Sequence, residues 1–488
     1  MSGGRYRPLT RADEGKIHNT VLDVLENIGM GDPIPIVRER ALERGCVINE
    51  HGRLCFPRSF VEDAIASAPK IARLCGRDPK HDIEVGDNRV HTYGGGEAVN
   101  MLDINASSYR PSTLVDLYDT ARLVDKMDNI HALARLVVAT EIGDQLACDI
   151  NSAYVSAAGT LKHTQPTFAD AAHVQPTLEM LYMIAGGEQE FRERPFCNGG
   201  GCPVISPLRY GQDNSEVCVE SIRFGAPIWV TVAPQAGATA PAALAGSVVQ
   251  AVAEALAGML MIHVVEPGFP VVLGPWPFVS DLRTGAFTGG SGEEALVSAA
   301  AVQMINFYGL PVSVGAGMTD SKLPDYQAGY EKALAIALAA QAGCNDVSEC
   351  SGMLGSLMAL SFESMVIDND LLGAVLRTVR GIEVNEETLS YAVMEQVVHG
   401  EGHYLRAPQT LALMRTEYEY PALANRATPG EWENAGSPDI RKAAGERVKS
   451  ILGGHYPEYI GPAIDAKIRE RFPIMIDAKD MRPGNGRW

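Results

Sequence analysis

The side chains with the most chemical reach lie just beyond short apolar runs. Trp276, one of four tryptophans, stands between Pro275 and Pro277, with Phe278 two residues on. Indole and phenyl faces attract cations, so this pair reads as one wall of an aromatic cage. An anchor for a loop is the plainer alternative. Glu97 and Glu349 follow other apolar runs and would offset a buried cation, or cap the helices that come after them. Gly94, Gly95 and Gly96, and the glycines of residues 198–201, would suit a phosphate cradle, yet no GK[ST] follows and tight turns explain them equally well. His399 and His403 have helical spacing in HGEGH, but Glu401 is misplaced for a zinc-peptidase helix and the glycines weaken the helix itself. No metal is expected. No GxSxG elbow supports serine hydrolysis.

These residues need a scaffold, and the chain supplies a repeating one. From about residue 89, β-rich runs alternate with helix-length segments eight times. The strand candidates are 89–93, 133–139, 164–169, 195–199, 227–233, 270–274, 311–315 and 346–350. Gly225, Gly268 and Gly309 each precede a Pro by two residues and then a β-branched run, which closes one helix and opens the next strand. Runs such as WVTVA and PVVLG lack alternation, as strands buried on both faces should. An α/β fold follows, a (β/α)8 TIM barrel over residues 89–380, with an N-terminal α+β cap over 1–88 and a mainly helical extension over 381–488. The cap opens with a helix from Ala12 to Ile28, started by a capping box at Thr10 and Asp13, and continues with hairpins at residues 50–52 and 86–88. The extension starts with Asn385 as an N-cap and ends in a loose tail from Arg482. In such a barrel the active site lies at the C-terminal strand ends. Those ends hold the residues named above, together with Met318, Asp320 and, on the following helix, Gln327.

Composition narrows the function. The chain has 488 residues, 41 Lys plus Arg against 60 Asp plus Glu, and a net charge of −19. That balance excludes a nucleic-acid partner. The most apolar stretch, 240–265, carries Gln250, Glu254 and His263 and reads as a buried helix, so no membrane is expected. Its Ala- and Gly-rich part would also pack closely between subunits of a homo-oligomer. The first residues lack the apolar core of a signal peptide, and nine scattered cysteines suit buried reduced thiols in a cytoplasmic protein.

The segments GLPVSVGAGMTDSKLPDYQAGYEKA (Gly309 to Ala333), ESMVIDNDLL and GIEVNEETL resemble the trimethylamine methyltransferase family. The likeness covers most of the chain. It implies a (β/α)8 barrel that passes a methyl group to the cob(I)alamin of a separate corrinoid protein, with no tightly bound cofactor of its own. True trimethylamine methyltransferases carry an encoded pyrrolysine in this segment, and by its register Met318 stands there. The chain is thus similar to the non-pyrrolysine members, some of which demethylate quaternary amines such as glycine betaine. A quaternary nitrogen leaves as a neutral amine and needs no electrophilic activator, only orientation and exclusion of water. On this reading Asp320 and Glu349 are the catalytic candidates. Trp276, Phe278, Met318, Gln327 and His403 are the substrate-binding ones, and Lys322 is a further group for the substrate's far end. A barrel retained for binding or regulation of a betaine-type molecule is the alternative, and so is a related demethylase on the same scaffold.

Overall fold

A computed structural model describes Met1 and residues 3–488. Eight short strands follow one another with helices between them: β1 His91–Gly94, β2 Ala132–Ala134, β3 His163–Gln165, β4 Gly200–Gly201, β5 Ile228–Val232, β6 Val271–Pro275, β7 Ser313–Gly315 and β8 Asp346–Ser348. All pairings among them are parallel. One sheet has the order β7-β8-β1-β2-β3 and another β4-β5-β6. Single parallel bridges, Thr164 to Cys197 and Leu273 to Val312, link the two sheets at both seams. The sequence of neighbours in space therefore follows the sequence of the chain.

Gly225 and Gly309 take φ of 67° and Gly268 takes 77°, the left-handed stops that the Gly-x-Pro junctions imply. The apolar stretch forms the helix Leu244–Val265, long and apolar enough to cross a membrane by composition, but packed into the core with 78% of its apolar window buried. All nine cysteines are free, and all but Cys202 are buried.

Several strand ends differ from the periodicity. The β2 ladder stops at Ala134, and the next residue, Arg135, forms an ion pair with Glu97. β4 consists of Gly200–Gly201, and the run before it contributes only the Cys197 bridge.

The flanking regions explain how the strands are held. The antiparallel hairpin Ile71–Leu74 with Ile83–Gly86 sends Ala72, Leu74 and Val85 against Tyr93, Ala132, Trp229 and Val272 at the N-terminal ends of the strands. The hairpin turn expected at 86–88 is a link into β1 instead, because Ile83–Gly86 already pairs backwards. The hairpin at 50–52 is present, Val47–Ile48 with Leu54–Cys55. The first helix, Arg11–Asp23, carries the expected capping box, Thr10 with Asp13.

At the other end, Asn385 closes an isolated turn with Thr388 and does not cap a helix, since the next helix begins at Tyr391. The tail is anchored rather than loose. Trp488 donates to the buried Asp119 at 2.9 Å, and Arg487 and Arg122 pair with the same carboxylate.

Candidate active site

The C-terminal strand ends form a mouth walled by small residues. Glycine at Gly315 admits the Trp276 ring, because a Cβ there would sit 2.9 Å from the indole. A Cβ on Gly274 would lie 3.2 Å from the indole nitrogen. Gly315 pairs with Ser348, the residue before Glu349, so the ring packs on β7 beside the strand from which Glu349 emerges. Phe278 lies 6.3 Å from Trp276 between ring centroids, and Phe287 lies 4.5 Å from Phe278. The three rings form one cluster beyond β6.

Glu349 is the most exceptional residue of the mouth. It takes φ of 64°, a left-handed conformation that costs a non-glycine residue about 1–3 kcal/mol. The turn brings its side chain against the glycines that follow β1, where a Cβ on Gly95 would lie 3.4 Å from Oε1 and one on Gly96 2.6 Å from Oε2. The residue is 5% exposed. Its Oε2 finds no partner among the described residues, and neither does the Trp276 Nε1. A buried polar atom without a partner costs roughly 1–3 kcal/mol. Burial pushes the Glu349 carboxyl up to about 8, with Glu97 and Asp346 adding to the push.

Beside Glu349 lies a second carboxyl. Glu97, also left-handed at φ 51°, pairs with Arg135 at 2.8 Å. Burial raises this carboxyl, but the guanidinium outweighs burial and holds it below its ordinary value. Arg135 also approaches Asp149 at 3.8 Å, and Asp149 accepts from His173 at 2.7 Å. Glu97, Arg135 and Asp149, together with Thr167, Cys202 and Asn214, line a cavity of about 460 Å³. Below the mouth, Asp346 accepts from Trp229 at 2.9 Å and from Ser348 at 2.8 Å. Burial lifts its carboxyl to about 6.

The segment after β7, which carries the specific motif, is tied internally. Glu331 accepts from the Asp320 backbone and from Gln327, both at 2.8 Å, and from Thr319. Asp320 accepts from the Gly289 backbone at 2.8 Å and from Ser356, so it joins the loops after β6, β7 and β8. It is not the N-cap of the following helix. Asp325 caps that helix, Tyr326–Ala342. Lys332, at the motif's end, is buried and pairs with Asp368 at 2.7 Å.

The remaining candidates fall in different places. Met318 is fully buried, and a Cβ on Gly289 would lie 3.0 Å from its own. Gln327 is engaged by Glu331. Lys322 is exposed and donates to the Asp320 carbonyl at 2.6 Å. His403 is exposed in the C-terminal region, 3.6 Å from Glu401. Of the sequence candidates, Trp276 and Phe278 stand together beyond β6, and Glu349 stands beyond β8. Sequence reasoning missed Arg135 and Phe287. Arg135 was hidden inside an expected strand of 133–139, and a charge in that apolar run was the available signal. Glu141 and Asp170, at other strand ends, are spent on helix starts.

Comparison with known proteins agrees with this architecture. The trimethylamine methyltransferase family model matches residues 2–481. A trimethylamine methyltransferase of Methanosarcina mazei is 32% identical over 98% of this chain and 96% of its own. One from Desulfitobacterium hafniense is 33% identical over 93% and 90%. A glycine betaine methyltransferase of the latter species is 29% identical over 95% and 96%. The crystal structure of the Methanosarcina barkeri monomethylamine methyltransferase superposes with a TM-score of 0.54 over 92% of this chain and 89% of that one, at 13% identity, which establishes a shared fold. The chain belongs to the trimethylamine methyltransferase family and is a methyltransferase.

Proposed function

We propose that this enzyme moves a methyl group from a methylated, quaternary amine of the betaine type to the cob(I)alamin of a separate corrinoid protein. The observation that carries the reading is a Trp276 indole nitrogen and a Glu349 carboxyl oxygen, both buried and unpartnered among the described residues, beyond the C-terminal ends of β6 and β8. An indole face and a carboxylate together stabilise a cation that neither could hold as well alone. The corrinoid, on its own protein, supplies the nucleophile. The small residues around the mouth suit the approach of such a group, and the chain's own task is to orient the methyl carbon toward the opening and keep water from it. Glu349 and the three rings fix the nitrogen. A quaternary nitrogen departs as a neutral amine, so no residue must deliver a proton. Met318, buried where the pyrrolysine members carry their special residue, leaves no electrophile at that position and favours the same class of donor.

We further infer that the eight strands close into a single barrel over residues 89–380, with 1–88 as its floor and 381–488 wrapped around it. The two single bridges at the seams and the return of β8 to β1 support that closure.

A thermal-shift panel of betaines, carnitine, choline, trimethylamine and a sulfonium analogue tests the donor. Binding stabilises by about 2.7 kcal/mol at a hundredfold excess over Kd. A shift with a quaternary compound, lost in Trp276→Ala, supports the assignment, and that compound should then methylate a corrinoid acceptor. A panel without any shift would count against it.

A further inference from the structure

The Arg135 guanidinium makes fewer bonds than it can. Arg135 follows β2, and its backbone is fixed beside the chain that follows β1. The Glu97 N–H donates to the Arg135 carbonyl at 3.1 Å and the Ala98 N–H to that of Leu136 at 2.9 Å. The side chain is mostly buried. A guanidinium carries five N–H donors in a rigid planar fork. Among the described residues one hydrogen bond uses them, from Nη2 to Glu97 at 2.8 Å. Nη1 stands 3.8 Å from Asp149, beyond hydrogen-bond reach, and Asp149 accepts instead from the Ala169 backbone and from His173. Nε is buried without a partner.

Arg135 lines the cavity of about 460 Å³ beyond β2, β3 and β4, a volume suited to a small molecule. Thr167 lines it too. Its hydroxyl is buried and has no partner within hydrogen-bond distance, although it lies near enough to Glu97 to add to the pull of Arg135 on that carboxyl. The cavity adjoins Glu349. A Cβ on Gly95 would lie 3.4 Å from Ala134, the residue before Arg135, and 3.4 Å from Glu349 Oε1. Cys202, on the same lining, has its thiol raised by burial and then by Glu97 and Glu349 alike.

We propose that Arg135, with the part of its fork that Glu97 leaves free, binds the carboxylate of a zwitterionic methyl donor, with the Thr167 hydroxyl as a second donor to it. The inference rests on the quaternary-amine reading above and adds the group that reads the far end of that amine. Glu97 keeps the guanidinium in place on one edge, and the methyl donor brings the second carboxylate, a bridging arrangement that the planar fork allows and a lysine ammonium does not reproduce. Lys322, Gln327 and His403, the residues whose types suit this role in the sequence, are exposed or engaged elsewhere. A cation without a carboxylate leaves the fork desolvated and unpaired, which is how a polar pocket rejects an analogue that lacks its partner group.

Calorimetric titration of the full chain with three probes tests it, with far-UV circular dichroism as the folding control. Glycine betaine carries both charges, choline only the cation, and 3,3-dimethylbutanoate only the carboxylate, with carbon in place of nitrogen. The wild type should bind glycine betaine at least about tenfold more tightly than choline. Arg135→Lys keeps a charge for Glu97 but loses the fork. Its affinity for glycine betaine and for 3,3-dimethylbutanoate should fall at least about tenfold, while that for choline changes less than about threefold. Thr167→Val, which preserves the shape of the side chain, should weaken the same two probes to a smaller extent. Choline bound by the wild type as tightly as glycine betaine would overturn the proposal. So would variants that weaken all three probes alike, the mark of a structural role through Glu97. Binding of 3,3-dimethylbutanoate that depends on Arg135, with neither quaternary compound bound, would uphold the carboxylate subsite and overturn the quaternary-amine reading. No binding of any probe would overturn both.

Discussion

In the segment from Asp320 to Lys332 every charged side chain is engaged, whereas around Trp276 and Glu349 the polar atoms are bare. Asp320 joins three loops, Ser321 bonds Asp325, Gln327 bonds Glu331, and Lys332 reaches Asp368 on the next helix. The mouth beside it keeps an unpartnered carboxylate oxygen and an unpartnered indole nitrogen. The first region is the most recognisable stretch of sequence, and its chemistry is internal. The second has almost no signature, and its chemistry faces outward. A long specific motif therefore identifies the family by its scaffold, while the binding surface is built from glycines and single residues on separate strands.

The largest expected effect separates the two. Lys332→Ala would leave Asp368 buried with only the Gly352 backbone as a partner. Breaking a buried pair from one side costs about 3–5 kcal/mol. The urea midpoint should drop accordingly, and affinity for the donor should change only as far as the loops loosen. A variant as stable as the wild type would show that the motif is not scaffold.

Glu349→Gln makes the opposite test. Removing the charge facing a buried cation costs roughly 2–5 kcal/mol, so kcat/KM for a quaternary donor should fall at least about thirtyfold. Stability should hold or rise, because near neutral pH the wild-type carboxyl is already mostly protonated and the amide replaces it closely. A destabilised variant with normal kcat/KM would place Glu349 with the scaffold.

The titration of Glu349 sharpens this further. Burial and the neighbouring Glu97 and Asp346 raise it to about 8, while Arg135 is occupied by Glu97 and does not lower it. A cationic donor prefers the carboxylate, so below about pH 8 its binding must expel a proton. Affinity should rise about tenfold per pH unit up to pH 8 and level off above it. The sign for folding is opposite. A carboxyl whose folded value lies above its unfolded one loses stabilisation as pH rises from the unfolded value toward 8. Calorimetry in buffers of different ionisation heat measures the released proton, and Glu349→Gln should flatten the profile.

Much of the fold was legible because its signals are local. Strands buried on both faces read as unbroken apolar runs, and Gly-x-Pro marks three of their starts, so seven of the eight regions hold strands, while 195–199 contributes only the Cys197 bridge ahead of Gly200–Gly201. Their ends were not legible. Glu97 and Glu349 break the two-residue period by turning left-handed, and Arg135 leaves β2 for a partner distant in sequence. The tail read as loose from its glycines, but Trp488 and Arg487 are held by Asp119, a contact no local pattern encodes. Trp276 was visible as a rare residue at a strand end. What makes room for its ring, Gly315, was one glycine among 49.

Gln327 gives the smallest effect and the finest division between the two regions. Its amide suits a substrate carboxylate by type, but its Nε2 donates to Glu331 at 2.8 Å, and the residue lies on the helix Tyr326–Ala342 rather than at a strand end. Glu331 keeps its bonds from Thr319 and from the Asp320 backbone without it. Gln327→Ala removes one of several hydrogen bonds to a carboxylate, worth about 0.5–1.5 kcal/mol of stability. Donor affinity should shift less than about threefold, or some 0.6 kcal/mol. A selective loss of affinity for betaines over choline would instead bring Gln327 into the mouth, and the boundary between scaffold and site would move one turn up that helix.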